Sequence, residues 1–492
     1  MTADPIGAAA RARFGVDYLY PVQRFVVSNV LEGNRQIVVL PTGAGKSLCF
    51  QLPCLFLPGP TLVLLPLLSL LSDQLRRLTE AGIPAGCLRG GLGTGEKARM
   101  FERVRAGSIR IILATPESCL VASNLRALRA CGISHLVVDE AHCISEWGDS
   151  FRPAYREIGG IARALAVPMT SAFTATASPP VIARIRSALF DDGDARLVAG
   201  SVDRPNISYT VLPLLSRAHV LTELARKAEK PLLVFCRTRN KVELAARTIL
   251  RRCPGTPVRF YHAGLDREER GAAERWYLGS PDGILVATCA YGLGVDKPDI
   301  RTVVHADVPP SVEAYLQESG RAGRDGKPSR AILLVSVEAG GSDGIFREPV
   351  ARERFSAMLG YSRGAGCRRN ALLELIGQAP VACSGCDVCA GTAERRAPGE
   401  REMIQFVSRH RRRFTVPLAA AILCAEPGPR MERGFHDTIP GYGDLAGWTR
   451  DDVGEGLRAL VASGSVRLLS GFLWRHGRGP MKGVLTVART RS

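Results

Sequence analysis

The chain has 492 residues, of which 46% are hydrophobic and 23% are charged. At roughly 150 residues per domain this length suggests about three domains, and the composition argues against disordered, collagen-like and disulfide-scaffold proteins. Lys and Arg number 65 against 47 Asp and Glu, which gives a formal net charge of +18. This surplus of positive charge predicts a polyanionic partner.

The sequence favours an intracellular, non-membrane location. Its N-terminal stretch carries no apolar segment typical of a secretory signal. No charged residue occurs between Lys46 and Asp73, yet prolines at 53, 58, 60 and 66 rule out one continuous spanning helix there. Ten of the 14 cysteines are scattered, mostly among apolar neighbours, which suits a reducing compartment. We therefore expect a cytoplasmic protein, associated with the nucleoid in a bacterium.

Up to about residue 340, short β-branched apolar runs alternate with amphipathic stretches, a pattern typical of parallel α/β sheets. The pattern predicts two such lobes, over residues 1–200 and 201–342. The predicted strands of the first lobe are 36–40, 61–66, 110–116, 135–142 and 169–177. Those of the second lobe are 231–238, 258–264, 282–292, 300–309 and 329–337.

The first predicted strand leads into a phosphate-binding loop, Pro41–Ser47. Small residues let successive backbone N–H groups point at a phosphate, and a helix is expected to begin at the end of the loop. Lys46 would reach the β- and γ-phosphates, and the Ser47 hydroxyl would bind Mg²⁺. Leu40 stands where the strict motif has glycine. The predicted nucleotide-binding residues of this loop are Thr42, Gly43, Gly45, Lys46 and Ser47.

A carboxylate pair, Asp139 and Glu140, ends the apolar run at 135–138. Asp139 is placed to hold Mg²⁺ through water, and Glu140 to polarise the attacking water. In isolation the pair could serve as a helix N-cap. Together with the phosphate-binding loop it predicts nucleotide hydrolysis.

Two lobes, a phosphate-binding loop and an Asp-Glu-Ala-His box resemble the superfamily 2 helicases. The aromatic-rich segment Cys143–Tyr155 narrows the resemblance to the RecQ family, and the similarity extends over about residues 12–395. The resemblance implies two RecA-like lobes and an adenine-reading role for Gln23. Val16 and Tyr20 depart from the family pattern, which has an aromatic residue and an arginine at these positions, and Tyr20 could stack on the base instead.

The aromatic-rich segment offers ring faces and a cation suited to single-stranded bases, at Trp147, Phe151 and Arg152. Its closeness to Glu140 would let DNA binding act on the hydrolytic site. The alternative is that both rings fill the core. The resemblance also implies that Thr174 and Thr176 link hydrolysis to lobe movement.

In the second lobe, the segment 317–326 resembles the last helicase motif of the family. By that resemblance Arg321 and Arg324 would approach the γ-phosphate across the cleft, where a guanidinium neutralises charge on the transferring phosphoryl group. The segment 292–298 matches a further family motif at the same surface.

Four cysteines form a cluster over the predicted subdomain 343–395, and four thiolates close a tetrahedral structural Zn²⁺ site. An iron–sulfur cluster uses the same ligands and is the rival interpretation. The resemblance favours zinc. The predicted ligands are Cys367, Cys383, Cys386 and Cys389.

Residues 396–492 are predicted to form a winged-helix-like domain that binds duplex DNA. Helical patterns cover 403–424 and 449–463, and apolar stretches near 466–474 and 484–488 flank a basic segment at 475–479.

The interpretation that accounts for these features is an ATP-dependent DNA helicase of RecQ type in DNA repair and recombination, with 3′-to-5′ polarity implied by the resemblance. Its expected cofactors are ATP, Mg²⁺ and Zn²⁺, and its expected partners are single-stranded and forked or duplex DNA. Two alternatives stay open: an ATPase that remodels or anneals DNA without processive unwinding, and an RNA helicase.

Overall fold

A computed structural model describes residues 4–41, 43–146, 153–191, 193–292, 297–337, 346, 348–426, 438–469 and 484–487. The chain folds as two α/β lobes in succession, followed by a small cysteine-containing subdomain and a C-terminal region of helices with a two-stranded sheet. In the part of the chain that the structure describes, no helix combines the length and the apolar character needed to cross a bilayer.

The first lobe is built on a seven-stranded parallel sheet. Its strands are β1 Gln36–Val39, β2 Thr61–Leu64, β3 Ala85–Leu88, β4 Ile111–Ala114, β5 His135–Val138, β6 Met169–Thr174 and β7 Arg196–Ala199. Their order in the sheet is β3-β4-β2-β5-β6-β1-β7. The central strands are buried along their whole length, because helices cover both faces of a parallel sheet.

Ten helices of this lobe lie in the described residues. They are α1 Pro5–Phe14, α2 Pro21–Leu31, α3 Lys46–Gln51, α4 Leu68–Glu80, α5 Thr94–Arg105, α6 Pro116–Leu120, α7 Ala122–Ala130, α8 Cys143–Glu146, α9 Ile158–Leu165 and α10 Pro179–Phe190. A left-handed residue ends several of them, as at Gly15 after α1, where φ is 64°.

The second lobe has a six-stranded parallel sheet of order β10-β11-β9-β12-β13-β8. Its strands are β8 Ile207–Leu214, β9 Leu232–Phe235, β10 Val258–Tyr261, β11 Ile284–Ala287, β12 Thr302–His305 and β13 Ser329–Ser336. Its helices are α11 Arg217–Lys227, α12 Arg239–Arg252, α13 Arg267–Gly279 and α14 Val312–Ser319. The prediction of two parallel-sheet lobes is confirmed, and the lobes are RecA-like.

All ten predicted strands are present, each between one and seven residues shorter than its predicted run, whereas β3, β7 and β8 were not predicted. All three lie at sheet edges. Gly86 weakens the strand signal of β3, and a side chain there would press on Met100, with a Cβ only 3.0 Å from its Cγ. Pro213 lies within β8, a position that an edge strand tolerates because one side of its backbone needs no donor.

The cysteine-containing subdomain comprises α15 Pro349–Arg363, α16 Arg368–Leu375 and the loop that follows. This loop extends the free edge of β8: the Tyr209 N–H donates to the Gly385 carbonyl at 3.3 Å, and the Asp387 N–H donates to the Tyr209 carbonyl at 3.0 Å. The subdomain is thereby joined to the second lobe through backbone pairing.

The C-terminal region contains α17 Glu400–Arg409, α18 Val416–Leu423 and α19 Arg450–Ala462, with an antiparallel pair, β14 Val466–Leu469 and β15 Val484–Val487. Its core centres on Met403, Phe406 and Leu457, and it includes Leu215 from the second lobe. Three helices and two antiparallel strands match the predicted elements. The winged-helix assignment stays a prediction, since the basic segment 475–479 lies outside the described residues.

Candidate active site

The predicted catalytic residues of the first lobe gather at the carboxyl ends of three adjacent strands, β5, β6 and β1. In a parallel sheet this edge carries the loops that bind ligands. The phosphate-binding loop follows β1, the carboxylate pair follows β5, and Thr174 and Thr176 lie at the end of β6. Sequence segments about 100 residues apart thus form one site, as the motifs predict.

Two glycines shape the phosphate-binding loop. Gly43 and Gly45 have φ values of 87° and 74°, a left-handed conformation that favours glycine. A Cβ on Gly45 would lie 2.5 Å from the Gln23 amide nitrogen, so close approach also excludes larger residues. α3 then begins at Lys46. Thr42 lies outside the described residues.

Lys46 contacts its own loop: its Nζ donates to the Leu40 carbonyl at 3.1 Å. The Ser47 Oγ accepts a hydrogen bond of 2.9 Å from the Gln74 side chain. Both residues line a cleft of about 870 Å³. The ammonium and the hydroxyl therefore face the space in which a triphosphate would lie.

Gln23 is buried and bridges two backbone segments. Its Oε1 accepts from the Tyr20 N–H at 3.0 Å, and its Nε2 donates to the Ala44 carbonyl at 2.9 Å. The side chain therefore supports the phosphate-binding loop directly, and its predicted role in reading adenine stays a prediction. Tyr20 is 61% exposed at the mouth of the cleft.

The carboxylate pair occupies the floor of the cleft. Burial, together with the nearby charge of Glu140, raises the pKa of the Asp139 carboxyl to about 7, although the charge of Lys46 opposes the rise. A cation beside Asp139 would reverse this shift, and carboxylate and hydroxyl oxygens are the ligands that Mg²⁺ prefers. Asp139 and Ser47 therefore fit a Mg²⁺ site.

Glu140 adopts a left-handed backbone with φ of 50°, a strained conformation for a residue with a side chain. Its N–H donates to the Asp139 carboxylate at 3.0 Å. Its Oε2 is buried and, among the described residues, has no hydrogen-bond partner, although the His142 Nδ1 lies 3.4 Å away. A buried carboxylate oxygen in this state fits a group that binds water.

Hydrogen bonds connect the surroundings of the carboxylate pair to the second lobe. His142 Nδ1 lies 3.1 Å from the Thr174 hydroxyl, which donates to the Thr176 carbonyl at 2.9 Å. The Ser178 hydroxyl, two residues further on, donates to the Glu313 carboxylate at 2.5 Å. Glu313 belongs to α14 and is 4% exposed. No sequence pattern predicted a role for Glu313, because a carboxylate near a helix N-terminus is common.

Arg321 and Arg324 reach the cleft from the second lobe, together with Gln317. Arg321 is 3% exposed, and burial, with the nearby charge of Arg324, lowers its pKa to about 10. It is therefore still a cation at neutral pH. The cleft thus joins the phosphate-binding loop and the carboxylate pair of one lobe to two arginines of the other, as the motifs predict.

Trp147, Phe151 and Arg152, predicted to contact DNA, lie outside the described residues. The chain on their N-terminal side is the short helix α8, in which the Ser145 hydroxyl accepts a hydrogen bond from Arg354 of α15. The cysteine-containing subdomain therefore contacts the first lobe at Ser145, within the aromatic-rich segment.

The four clustered cysteines converge as predicted. The sulfur atoms of Cys367, Cys383, Cys386 and Cys389 all lie within 4.8 Å of one another. Four thiolates at tetrahedral zinc, with Zn–S bonds of about 2.3 Å, would be separated by roughly 3.8 Å, so the residues fit the ion with little movement. The remaining cysteines of the described part do not form such a group.

Comparison with known families supports this reading of the site. Residues 20–185 match the DEAD/DEAH box helicase family, residues 216–326 the helicase conserved C-terminal domain, and residues 342–390 the RecQ zinc-binding family. The chain is 30% identical over 471 residues to the ATP-dependent DNA helicase RecQ of Pasteurella multocida, covering 93% of this chain and 74% of that protein. The chain belongs to the RecQ family of ATP-dependent DNA helicases.

A second RecQ relative, the ATP-dependent DNA helicase RecQ of Bacillus subtilis, is 31% identical over 97% of this chain and 83% of its own length. Membership of the RecQ family makes the chain an ATP-hydrolysing enzyme of the helicase class, and the match to the zinc-binding family decides for zinc over an iron–sulfur cluster.

Solved structures agree with the fold. The helicase MrfA bound to DNA has a TM-score of 0.54 at 23% identity, covering 68% of this chain and 51% of that one. Mss116p bound to single-stranded RNA has a TM-score of 0.58 at 17% identity, covering 92% and 94%. These similarities concern the fold alone.

Proposed function

We propose that this RecQ-family protein moves 3′-to-5′ along single-stranded DNA at the expense of ATP and separates duplex DNA ahead of it, in DNA repair and recombination. The observation that carries the proposal is the cleft in which Lys46, Glu140 and Arg321 from two lobes line one space. A site divided between lobes ties the chemistry of ATP to their relative position.

Within the cleft each side chain has one task. Lys46 binds the β- and γ-phosphates, Glu140 orients and polarises the attacking water, and Arg321 and Arg324 neutralise charge on the transferring phosphoryl group. Ser47 and Asp139 would hold Mg²⁺, which supplies charge neutralisation at the phosphates when bound. The remaining loop residues, Thr42, Gly43 and Gly45, would contact the phosphates through their backbone.

We expect lobe movement to be coupled to hydrolysis through the hydrogen bonds that run from Thr174 and Thr176 toward Glu313. These contacts begin beside the carboxylate pair and end on α14, the helix that is followed by Arg321. Closing of the cleft on ATP and opening after hydrolysis would shift the lobes along the strand.

DNA is expected to contact Trp147, Phe151 and Arg152, because rings stack on bases without regard to sequence. The C-terminal region would bind the duplex ahead of the lobes. Support comes from the net charge of +18 and from the RecQ relatives, which are named as DNA helicases. With such a substrate, we expect the protein to act on chromosomal DNA, which in a bacterium forms the nucleoid.

The direct test is ATPase activity with single-stranded DNA, duplex DNA, forked DNA and RNA as separate stimulating ligands. We expect the strongest stimulation by single-stranded and forked DNA. Stronger stimulation by RNA would identify an RNA helicase. Stimulation by DNA without strand separation would identify an ATPase that remodels or anneals DNA.

A further inference from the structure

Two buried glutamines connect Ser47 to the helix α4. Gln74 of α4 donates from its Nε2 to the Ser47 Oγ at 2.9 Å, and its Oε1 accepts from the Gln51 Nε2 at 2.6 Å. Both glutamine side chains are 6% exposed. Ser47, Gln51 and Gln74 all line the nucleotide cleft.

The arrangement fixes which end of the Gln74 amide faces Ser47. An amide presents an acceptor at one end and donors at the other. Since Gln51 donates to the oxygen of Gln74, the nitrogen of Gln74 is the end turned toward Ser47. Ser47 and Gln51 lie four residues apart on α3 and so share one face of that helix, where the Gln74 amide contacts both side chains.

This contact restricts the Ser47 hydroxyl. A serine oxygen has two lone pairs and one proton. With one lone pair engaged by Gln74, the second lone pair and the proton are left for groups in the cleft. The orientation in which the proton would point at Gln74 is thereby excluded before any cation or nucleotide arrives, which reduces the cost of binding.

Burying the two glutamine amides costs free energy, and packing of α3 against α4 does not require it. Buried amides lose hydration, and apolar side chains of similar size would join α3 to α4 equally well. Neighbouring residues of α4 show this, because Leu71 and Leu78 are buried among apolar groups of the first lobe. A polar pair directed at the hydroxyl of the phosphate-binding loop therefore indicates a role in the site.

We propose that Gln74 is a positioning residue that orients the Ser47 hydroxyl toward Mg²⁺, with Gln51 holding the Gln74 amide in the required orientation. The inference rests on the proposed function, in which Ser47 is a Mg²⁺ ligand. It adds α4 to the nucleotide site, although no sequence motif predicted that this helix takes part.

The test compares Gln74→Met, which keeps the length of the side chain and removes its donor, with Gln51→Met and with Ser72→Ala as a control on the exposed side of α4. Binding of a fluorescent ATP analogue is measured as Mg²⁺ is added and again in EDTA. Thermal unfolding of each protein is recorded alongside.

For Gln74→Met we expect half-saturation by Mg²⁺ to require about 3- to 10-fold more cation, since the hydrogen bond to the Ser47 hydroxyl is lost. Binding in EDTA should stay at the parent value. The unfolding midpoint should fall slightly, because the buried Gln51 amide loses the acceptor of its hydrogen bond. Gln51→Met should shift the Mg²⁺ requirement in the same direction by a smaller factor, because the Gln51 amide acts on the Ser47 hydroxyl through Gln74. Ser72→Ala should match the parent.

Unchanged Mg²⁺ dependence in Gln74→Met would overturn the proposal. Equal weakening with and without Mg²⁺, together with a lower unfolding midpoint, would also overturn it, because Gln74 would then be a packing residue. Were Gln74→Met unable to fold, an unshifted Mg²⁺ requirement in Gln51→Met would have the same force. Ser47→Ala distinguishes failure of the inference about Gln74 from failure of the proposed function. If Ser47→Ala leaves the Mg²⁺ dependence unchanged, the assignment of Ser47 as a Mg²⁺ ligand is wrong.

Discussion

Arg252, in α12 of the second lobe, forms an ion pair of 2.7 Å with Asp452 in the first turn of α19. Asp452 is 1% exposed and also accepts from the Ser216 hydroxyl at 2.8 Å. Burial raises the pKa of this carboxyl, but its hydrogen bonds and the Arg252 charge outweigh burial and lower it overall. With His219 stacked on Trp448 at 3.8 Å, the contact docks the C-terminal region on the second lobe.

Arg252→Ala should therefore loosen this docking. Removing one partner leaves a buried carboxylate uncompensated, a change that costs about 3 kcal/mol. We expect a lower unfolding midpoint and faster proteolysis between the second lobe and the C-terminal region. Arg251→Ala, on the exposed side of the same helix, is the control. Identical proteolysis of the two variants would show that the ion pair does not hold the interface.

Two substitutions in the nucleotide site should differ in their effect on ATP binding, although both should impair hydrolysis. Lys46→Ala should abolish hydrolysis and weaken ATP binding, because it removes a cation from the phosphates. Glu140→Gln should lower hydrolysis by at least about 100-fold and leave ATP binding near the parent value, since only the group that polarises water is lost. Steady-state ATPase and equilibrium nucleotide binding check both. Normal turnover by either variant would contradict the assigned roles.

Zinc is expected to stabilise the fold, because four thiolates leave no open coordination position for catalysis. The loop that follows α16 carries three of the four cysteines and pairs with β8 at Tyr209. Loss of the ion should therefore release this loop from the edge of the second lobe's sheet. Metal analysis should find one Zn²⁺ per chain in the parent. Cys386→Ser should lose the ion and unfold at a lower temperature. Loss of the metal at unchanged solubility and thermal stability would show that the ion is not structural.

Trp147→Ala tests how DNA binding reaches the hydrolytic site. Stacking on one ring contributes on the order of 1–3 kcal/mol, so DNA binding should weaken without being lost. Basal ATPase should stay near the parent value, because Glu140 and the phosphate-binding loop are untouched. Most of the stimulation by saturating single-stranded DNA should disappear. Full stimulation in this variant would show that Trp147 fills the core and that another element senses the strand.

The motifs at strand ends were accessible from the sequence because each is local. The loop after β1 and the carboxylates after β5 each combine a buried strand with adjacent polar residues, and a parallel sheet brings such ends together. The four cysteines were accessible for the same reason, since three of them are spaced at short, regular intervals.

The side-chain contacts between distant elements could not be predicted from the sequence. Gln74 is separated from Ser47 by 27 residues, and Glu313 from Ser178 by 135. Arg252 and Asp452 are 200 residues apart. No local pattern distinguishes such side chains from ordinary surface or helix-terminal polar residues, because their roles depend on how whole elements pack. The edge strands β3 and β7 were missed because short strands at a sheet edge carry little continuous apolar character.

Strand displacement from forked DNA tests the central proposal most directly. The parent protein and Glu140→Gln are each mixed with ATP, Mg²⁺ and a duplex that carries a single-stranded tail at either the 3′ or the 5′ end. We expect the parent to separate the 3′-tailed duplex far faster than the 5′-tailed one, and Glu140→Gln to separate neither. Failure of the parent to separate either duplex while single-stranded DNA stimulates its ATPase would show that the protein is not a helicase that unwinds 3′-to-5′.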